Sequence, residues 1–132
     1  MTDIDTQLLA AAKDAFTRAY APYSNFQVGA ALLGSDGKIY SGCNVENASY
    51  GLSRCAEQTA IQKMVSEGVR SFSKAVVYTL ASPPSSPCGA CRQILFEFGE
   101  HAQVVMVNDK FETRVFTVSE LLPAGFGPRD LE

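Results

Sequence analysis

No run of apolar residues in this chain approaches the roughly 20 that a membrane-spanning helix needs, although 46% of its 132 residues are hydrophobic. The apolar residues are spread in short runs, the pattern of a buried core rather than of a bilayer span. The opening stretch MTDIDTQLL has no basic region, no apolar segment and no small-residue cleavage site, so it does not read as a secretory signal and a cytoplasmic protein is expected. Basic residues are also few: 11 Lys and Arg stand against 14 Asp and Glu, for a net charge of -3 with no basic cluster. That balance excludes a sequence-wide pull toward DNA or RNA and favours a small-molecule partner. Histidine occurs once, as His101 after Gly99-Glu100 at an expected helix end, where a cation is favourable on the surface. There is no repeat and no linker, so residues 1–132 are expected to form one domain.

The periodicity of what is present outlines an α/β chain. Ile4, Leu8, Ala11, Ala12, Ala15, Phe16 and Ala19 make a helical stripe over residues 4–19, ended by Tyr20-Ala21-Pro22. Residues 27–33 and 38–45 flank the turn Ser35-Asp36-Gly37 and predict an antiparallel hairpin. A second helix runs from Ala56 through Val65 to a stop at Gly68, and a strand is expected over 75–80. The loop Ser82–Pro87 leads to a helix marked by Cys91, Ile94, Leu95 and Phe98. Strands over 103–107 and 111–116 flank Asn108-Asp109, and Thr117-Val118-Ser119-Glu120 is a capping-box pattern opening a last short helix. The order α-β-β-α-β-α-β-β-α implies three α/β/α layers around a mixed five-stranded sheet. Its third and fourth strands should be parallel because a helix joins them.

Four cysteines in a reducing compartment point to metal or redox chemistry before disulfides. Cys55-Ala56-Glu57 opens one expected helix and Pro87-Cys88-Gly89-Ala90-Cys91 opens another. Helix N-termini carry partial positive charge and free N–H groups, which favour thiolate, the form that binds metal. Cys88 and Cys91 share a helix face and can grip one ion as a pair. Cys55 supplies a third ligand, leaving one position of a tetrahedral zinc open for water. Glu57 lies too close to Cys55 for both to point alike on a regular helix, so Cys55 must occupy the very start. Glu57 then stands behind the metal, where a carboxylate can take a proton from water and return it to a substrate nitrogen. Cys43 has no partner in the pattern and reads as a structural thiol.

These motifs resemble the zinc-deaminase signature in its three-cysteine form, as found in the small homotetrameric cytidine deaminases. The likeness extends through Phe26-Gln27-Val28-Gly29-Ala30-Ala31, Gly42-Cys43-Asn44-Val45-Glu46-Asn47-Ala48 and Leu121-Leu122-Pro123-Ala124-Gly125-Phe126-Gly127-Pro128, essentially the whole chain. The resemblance implies hydrolytic deamination of cytidine and deoxycytidine at a zinc ion, in pyrimidine salvage, with Glu57 as proton shuttle. It implies that Phe26 packs on the pyrimidine, that Asn44 and Glu46 hydrogen-bond the ribose hydroxyls, and that Ala56 lies at the substrate. It also implies a homotetramer in which Ala48, Tyr50 and Phe126 reach the site of a neighbouring subunit.

One residue departs from the family's pattern. Relatives usually carry arginine directly after the catalytic glutamate, where this chain has Gln58, which still donates hydrogen bonds to a thiolate but brings no charge. Arg54 and Arg92, each adjacent to a cysteine, are the candidates to supply it. Three rival functions share the scaffold: deamination of another aminated heterocycle such as blasticidin S, deamination of a polynucleotide, and a non-catalytic zinc module. The acidic balance speaks against the polynucleotide, Asn44 and Glu46 favour a nucleoside, and the retained Glu57 speaks against a purely structural zinc.

Overall fold

The computed structural model describes residues 2–132. The first helix, α1 (Asp3–Phe16), opens on a reciprocal cap: the Thr2 hydroxyl accepts from the Asp5 amide, and the Asp5 carboxylate accepts from the Thr2 amide. It stops three residues short of the expected Ala19. Tyr20 is taken instead by the strand region beyond, donating its amide to the Asn44 carbonyl while its own carbonyl accepts from the Glu46 amide.

The hairpin follows as β1 (Gly29–Gly34) and β2 (Ile39–Cys43), turning at Gly37 with φ +82°. Then come α2 (Ala56–Ser66), β3 (Phe72–Tyr78), α3 (Gly89–Gly99), β4 (Gln103–Val107), β5 (Thr113–Thr117) and α4 (Val118–Leu121). The strands lie in the order β2-β1-β3-β4-β5. As expected, β3 and β4 are parallel across the α3 crossover; every other neighbouring pair is antiparallel.

Strand alternation sorts the core into two layers. Ala30, Leu32, Ala75, Val77, Val104 and Met106 face α2 and α3, meeting Ala60, Ile61, Met64 and Leu95. Their neighbours Ala31, Val76, Tyr78 and Val107 face α1 and meet Leu8, Leu9 and Ala12. The result is the three-layer α/β/α arrangement around a mixed five-stranded sheet. Close approach of helix to strand depends on two glycines. A Cβ on Gly29 would lie 1.9 Å from the Ala12 carbonyl oxygen, and one on Gly42 would lie 2.6 Å from the Ala60 amide nitrogen.

Strand β3 starts earlier than its apolar pattern, at Phe72, because Phe72 and Lys74 pair with Gly34 and Leu33. It also ends before Leu80. Phe111, expected in β5, instead sits at φ +60° in a turn built on Asn108, whose side-chain oxygen accepts from the amides of Lys110 and Glu112. Two short 3₁₀ turns, Tyr50–Leu52 and Pro128–Leu131, had no periodic signal. No helix among the described residues is long and apolar enough to cross a membrane.

Candidate metal centre and active site

Helices α2 and α3 bring their N-termini together, and the cysteines sit where the helical geometry begins. Cys55 is the residue capping α2, with extended backbone at φ -74° and ψ 160°, so Glu57 two residues later occupies the first turn on a different heading. Cys88 caps α3 in the same conformation, and its sulfur accepts from the Cys91 amide at 3.4 Å. That bond satisfies one of the free N–H groups of the helix end.

The three sulfurs lie within 4.8 Å of one another. Cys55 Sγ is 3.7 Å from Cys88 Sγ, which is 3.3 Å from Cys91 Sγ. Tetrahedral zinc at about 2.3 Å from each sulfur separates them by about 3.8 Å, so Cys55 and Cys88 already have the spacing and Cys88 and Cys91 need to open by a few tenths of an ångström. Cys43, on β2, lies outside this cluster. The donor set fits zinc in kind as well: three soft thiols, one short of a closed tetrahedral site.

Around this trio the electrostatics divide. Hydrogen bonding with Cys91 and Cys88, with the nearby cation of Arg54, holds Cys55 down at about 6. Cys91, bonded to that anion and almost wholly buried, is pushed up. Burial pushes Glu57 up to about 7, and the negative charge of Cys55 adds to the effect. A carboxyl group at that value takes and gives a proton near neutral pH.

Gln58 turns inward beside these groups, buried, and its Nε2 donates to Cys91 Sγ at 3.7 Å. The expected bond from the amide to a cysteine sulfur is therefore present. Of the two candidate arginines, Arg54 lines the cavity and lowers Cys55, whereas Arg92 turns away to backbone carbonyls and a serine hydroxyl.

One cavity holds Phe26, Asn44, Glu46, Cys55, Ala56, Glu57, Cys88 and Cys91 together. Asn44 is buried, and its amide works in both directions: Nδ2 donates to the Phe26 carbonyl at 2.7 Å while Oδ1 accepts from the Val28 amide at 2.8 Å. It thereby fixes the segment that presents Phe26, and retains one N–H and one lone pair. Glu46 Oε1 accepts from the amides of Tyr23 and Ser24, and Oε2 accepts from the Ser24 hydroxyl, bonds that hold its pKa below the usual value.

Ala48, Tyr50 and Phe126 do not line this cavity. Tyr50 is 74% exposed at its rim, its ring 5.8 Å from that of Tyr23. Phe126 is 57% exposed in the C-terminal tail, where its carbonyl accepts from Gln93 Nε2. Sequence reasoning passed over Ser24, Ser53, Thr79, Ser85 and Ser86, which also line the cavity. The only signal for the last two was their place directly before Pro87-Cys88; the others carry none.

A thiol trio at paired helix N-termini, backed by a buried carboxyl on an α/β/α sheet, defines a metal-dependent hydrolase. Residues 2–108 match the family model described as the cytidine and deoxycytidylate deaminase zinc-binding region. A cytidine deaminase of Sporosarcina psychrophila is 49% identical over 126 residues, covering 95% of this chain and 93% of the relative. A probable cytidine deaminase of Dictyostelium discoideum is also 49% identical, covering 92% and 82%. The crystal structure of cytidine deaminase from Burkholderia pseudomallei superposes with a TM-score of 0.89 at 48% identity, covering 96% of this chain and all of that one. The chain belongs to the cytidine and deoxycytidylate deaminase family, and its cofactor is zinc.

Proposed function

We propose that this chain, acting as one domain, hydrolyses cytidine and deoxycytidine to uridine and deoxyuridine with release of ammonia, as a step of pyrimidine salvage. The observation that carries the reading is the single cavity in which three thiols, a buried carboxyl, an aromatic face and the polar side chains of Asn44 and Glu46 converge. Cys55, Cys88 and Cys91 would hold zinc, which when bound supplies the Lewis acidity that makes water a nucleophile at neutral pH.

The remaining chemistry belongs to the chain's own groups. Glu57, enclosed and titrating near neutrality, carries a proton to N3 of the base and another to the departing amine. Phe26, on the cavity wall, offers an uncharged face to an uncharged ring. Ala56, with only a methyl group, leaves room for the base beside the thiols. Asn44 and Glu46 keep unused hydrogen-bonding capacity for ribose hydroxyls, and the Glu46 carboxylate repels a phosphate. The reducing cytoplasm suits a site that needs three free thiols.

The assembly is read as a homotetramer with shared sites. Tyr50 and Phe126 are large, exposed and outside their own chain's cavity, as residues serving a neighbouring subunit would be; Ala48 belongs with them. The test of the activity is the fall in absorbance when purified protein meets cytidine, deoxycytidine or their monophosphates. The two nucleosides should react at similar rates and the monophosphates far more slowly. A monophosphate consumed as efficiently as its nucleoside would contradict the assignment of Glu46.

A further inference from the structure

Arg92 stands in the first turn of α3, next to Cys91, in a position where the helix macrodipole disfavours a cation. Its side chain nevertheless faces no thiol. Side chains on a helix lean back over the preceding turn, and Arg92 does so far enough to leave the helix. Nε donates to the Pro87 carbonyl at 2.9 Å, the residue directly before the cap Cys88. Nη2 donates to the Ser86 hydroxyl at 2.7 Å, and Nη1 donates to the Leu121 carbonyl at 2.9 Å.

These partners come from two separate places. Ser86 and Pro87 form the approach to the metal-binding turn; Leu121 closes α4, where the C-terminal tail begins. Its carbonyl is one that a helix end leaves without an internal partner. The same tail is held again five residues on, where Gln93 donates to the Phe126 carbonyl. All of the Arg92 bonds are part-buried, so water competes poorly for them.

We propose that Arg92 is a positioning residue that couples the metal-binding turn to the C-terminal tail. One rigid, planar donor group holds Cys88 in register for zinc and, through Leu121, holds the segment that presents Phe126. Zinc binding in a subunit is thereby linked to the order of the tail that the same subunit presents. The proposal rests on the reading of Cys55, Cys88 and Cys91 as the zinc ligands. It differs from charge compensation, because a compensating cation needs only its charge, whereas a bridge needs the guanidinium fork.

The test measures zinc transfer to a chromogenic chelator, and amide hydrogen exchange in residues 121–127 before and after zinc removal. It is made on wild type, Arg92→Lys, Arg92→Gln and Cys88→Ser. In wild type, zinc removal should speed exchange in the tail. Both Arg92 variants should hold zinc about 10–100-fold more weakly against the chelator, the range for losing a partner that orients a metal ligand. Their tail exchange should already be fast and should no longer respond to zinc.

Lysine should fail to rescue. If Arg92→Lys keeps zinc and tail protection at wild-type levels, the bridge is wrong. If the wild-type tail is indifferent to zinc, the coupling is wrong, and that measurement needs no variant to fold. A Cys88→Ser protein that keeps its zinc overturns the ligand reading itself, and the proposal with it; the Arg92 results alone overturn only the bridge.

Discussion

Replacing Gln58 tests how the metal centre manages its charge with a neutral amide directly after Glu57. Three thiolates on Zn²⁺ leave a formal charge of about -1, which any donor to sulfur helps to disperse. Gln58 Nε2 is 3.7 Å from Cys91 Sγ, and Gln58 is 7% exposed and Cys91 1%, so no water can take over the bond when it is lost. Gln58→Leu keeps the bulk and removes the donor. A hydrogen bond to a charged group contributes about 1.5–3 kcal/mol, so zinc affinity should fall roughly tenfold to a hundredfold. Gln58→Glu, which adds a like charge at the same place, should fall further, and Gln58→Arg should rise above wild type. Competition against a chelator of known affinity at fixed pH gives all four values. A series in which leucine, glutamate and arginine all match glutamine would refute the argument, showing that the bond to Cys91 contributes nothing to the metal.

Gly29→Ala should lower the melting temperature sharply, by at least the roughly 1–3 kcal/mol of an overpacked core. Its methyl group would meet the Ala12 and Phe16 backbone of α1, which cannot step aside; an unchanged melting curve would show that the helix moves freely. Asp5 is paired with Lys74 and bonded to Thr2, which holds its pKa below the ordinary 3.8 in the folded state. The stability this lends is present above that value and lost as pH falls below it. Asp5→Asn should therefore be less stable than wild type at neutral pH, with the gap closing in acid; a gap of constant width would remove the pairing as its cause. Mixing Glu57→Gln with Phe126→Ala under conditions of subunit exchange should restore activity beyond the sum of the unmixed samples. Exchange without that excess would end the shared-site reading.

How much of this could be read from residues alone varies with the kind of signal. The layer order and the parallel β3–β4 pair follow from periodicity and from the length of the α3 crossover, both local properties. Strand ends do not: Phe72 and Lys74 join β3 because Gly34 and Leu33 accept them, and Phe111 leaves β5 because Asn108 ties the turn. The convergence of the three thiols was legible because Cys55, Cys88 and Cys91 each sit at a recognisable helix start. The reach of Arg92 was not, since its partners Pro87 and Leu121 are 34 residues apart and only the folded chain sets them side by side. Asn44 shows the intermediate case. Its place in the motif pointed to the sugar, but its hold on the Phe26–Val28 backbone exists only in the folded chain.

The central claim is that a thiol-held zinc and Glu57 together deaminate cytidine. It is tested most directly by measuring zinc content and cytidine turnover side by side in wild type and Glu57→Gln. The account predicts wild type with about one zinc per chain and rapid loss of cytidine absorbance. It predicts Glu57→Gln with the same zinc content and turnover reduced at least roughly a hundredfold. A zinc-replete Glu57→Gln protein that turns over cytidine at the wild-type rate would contradict it.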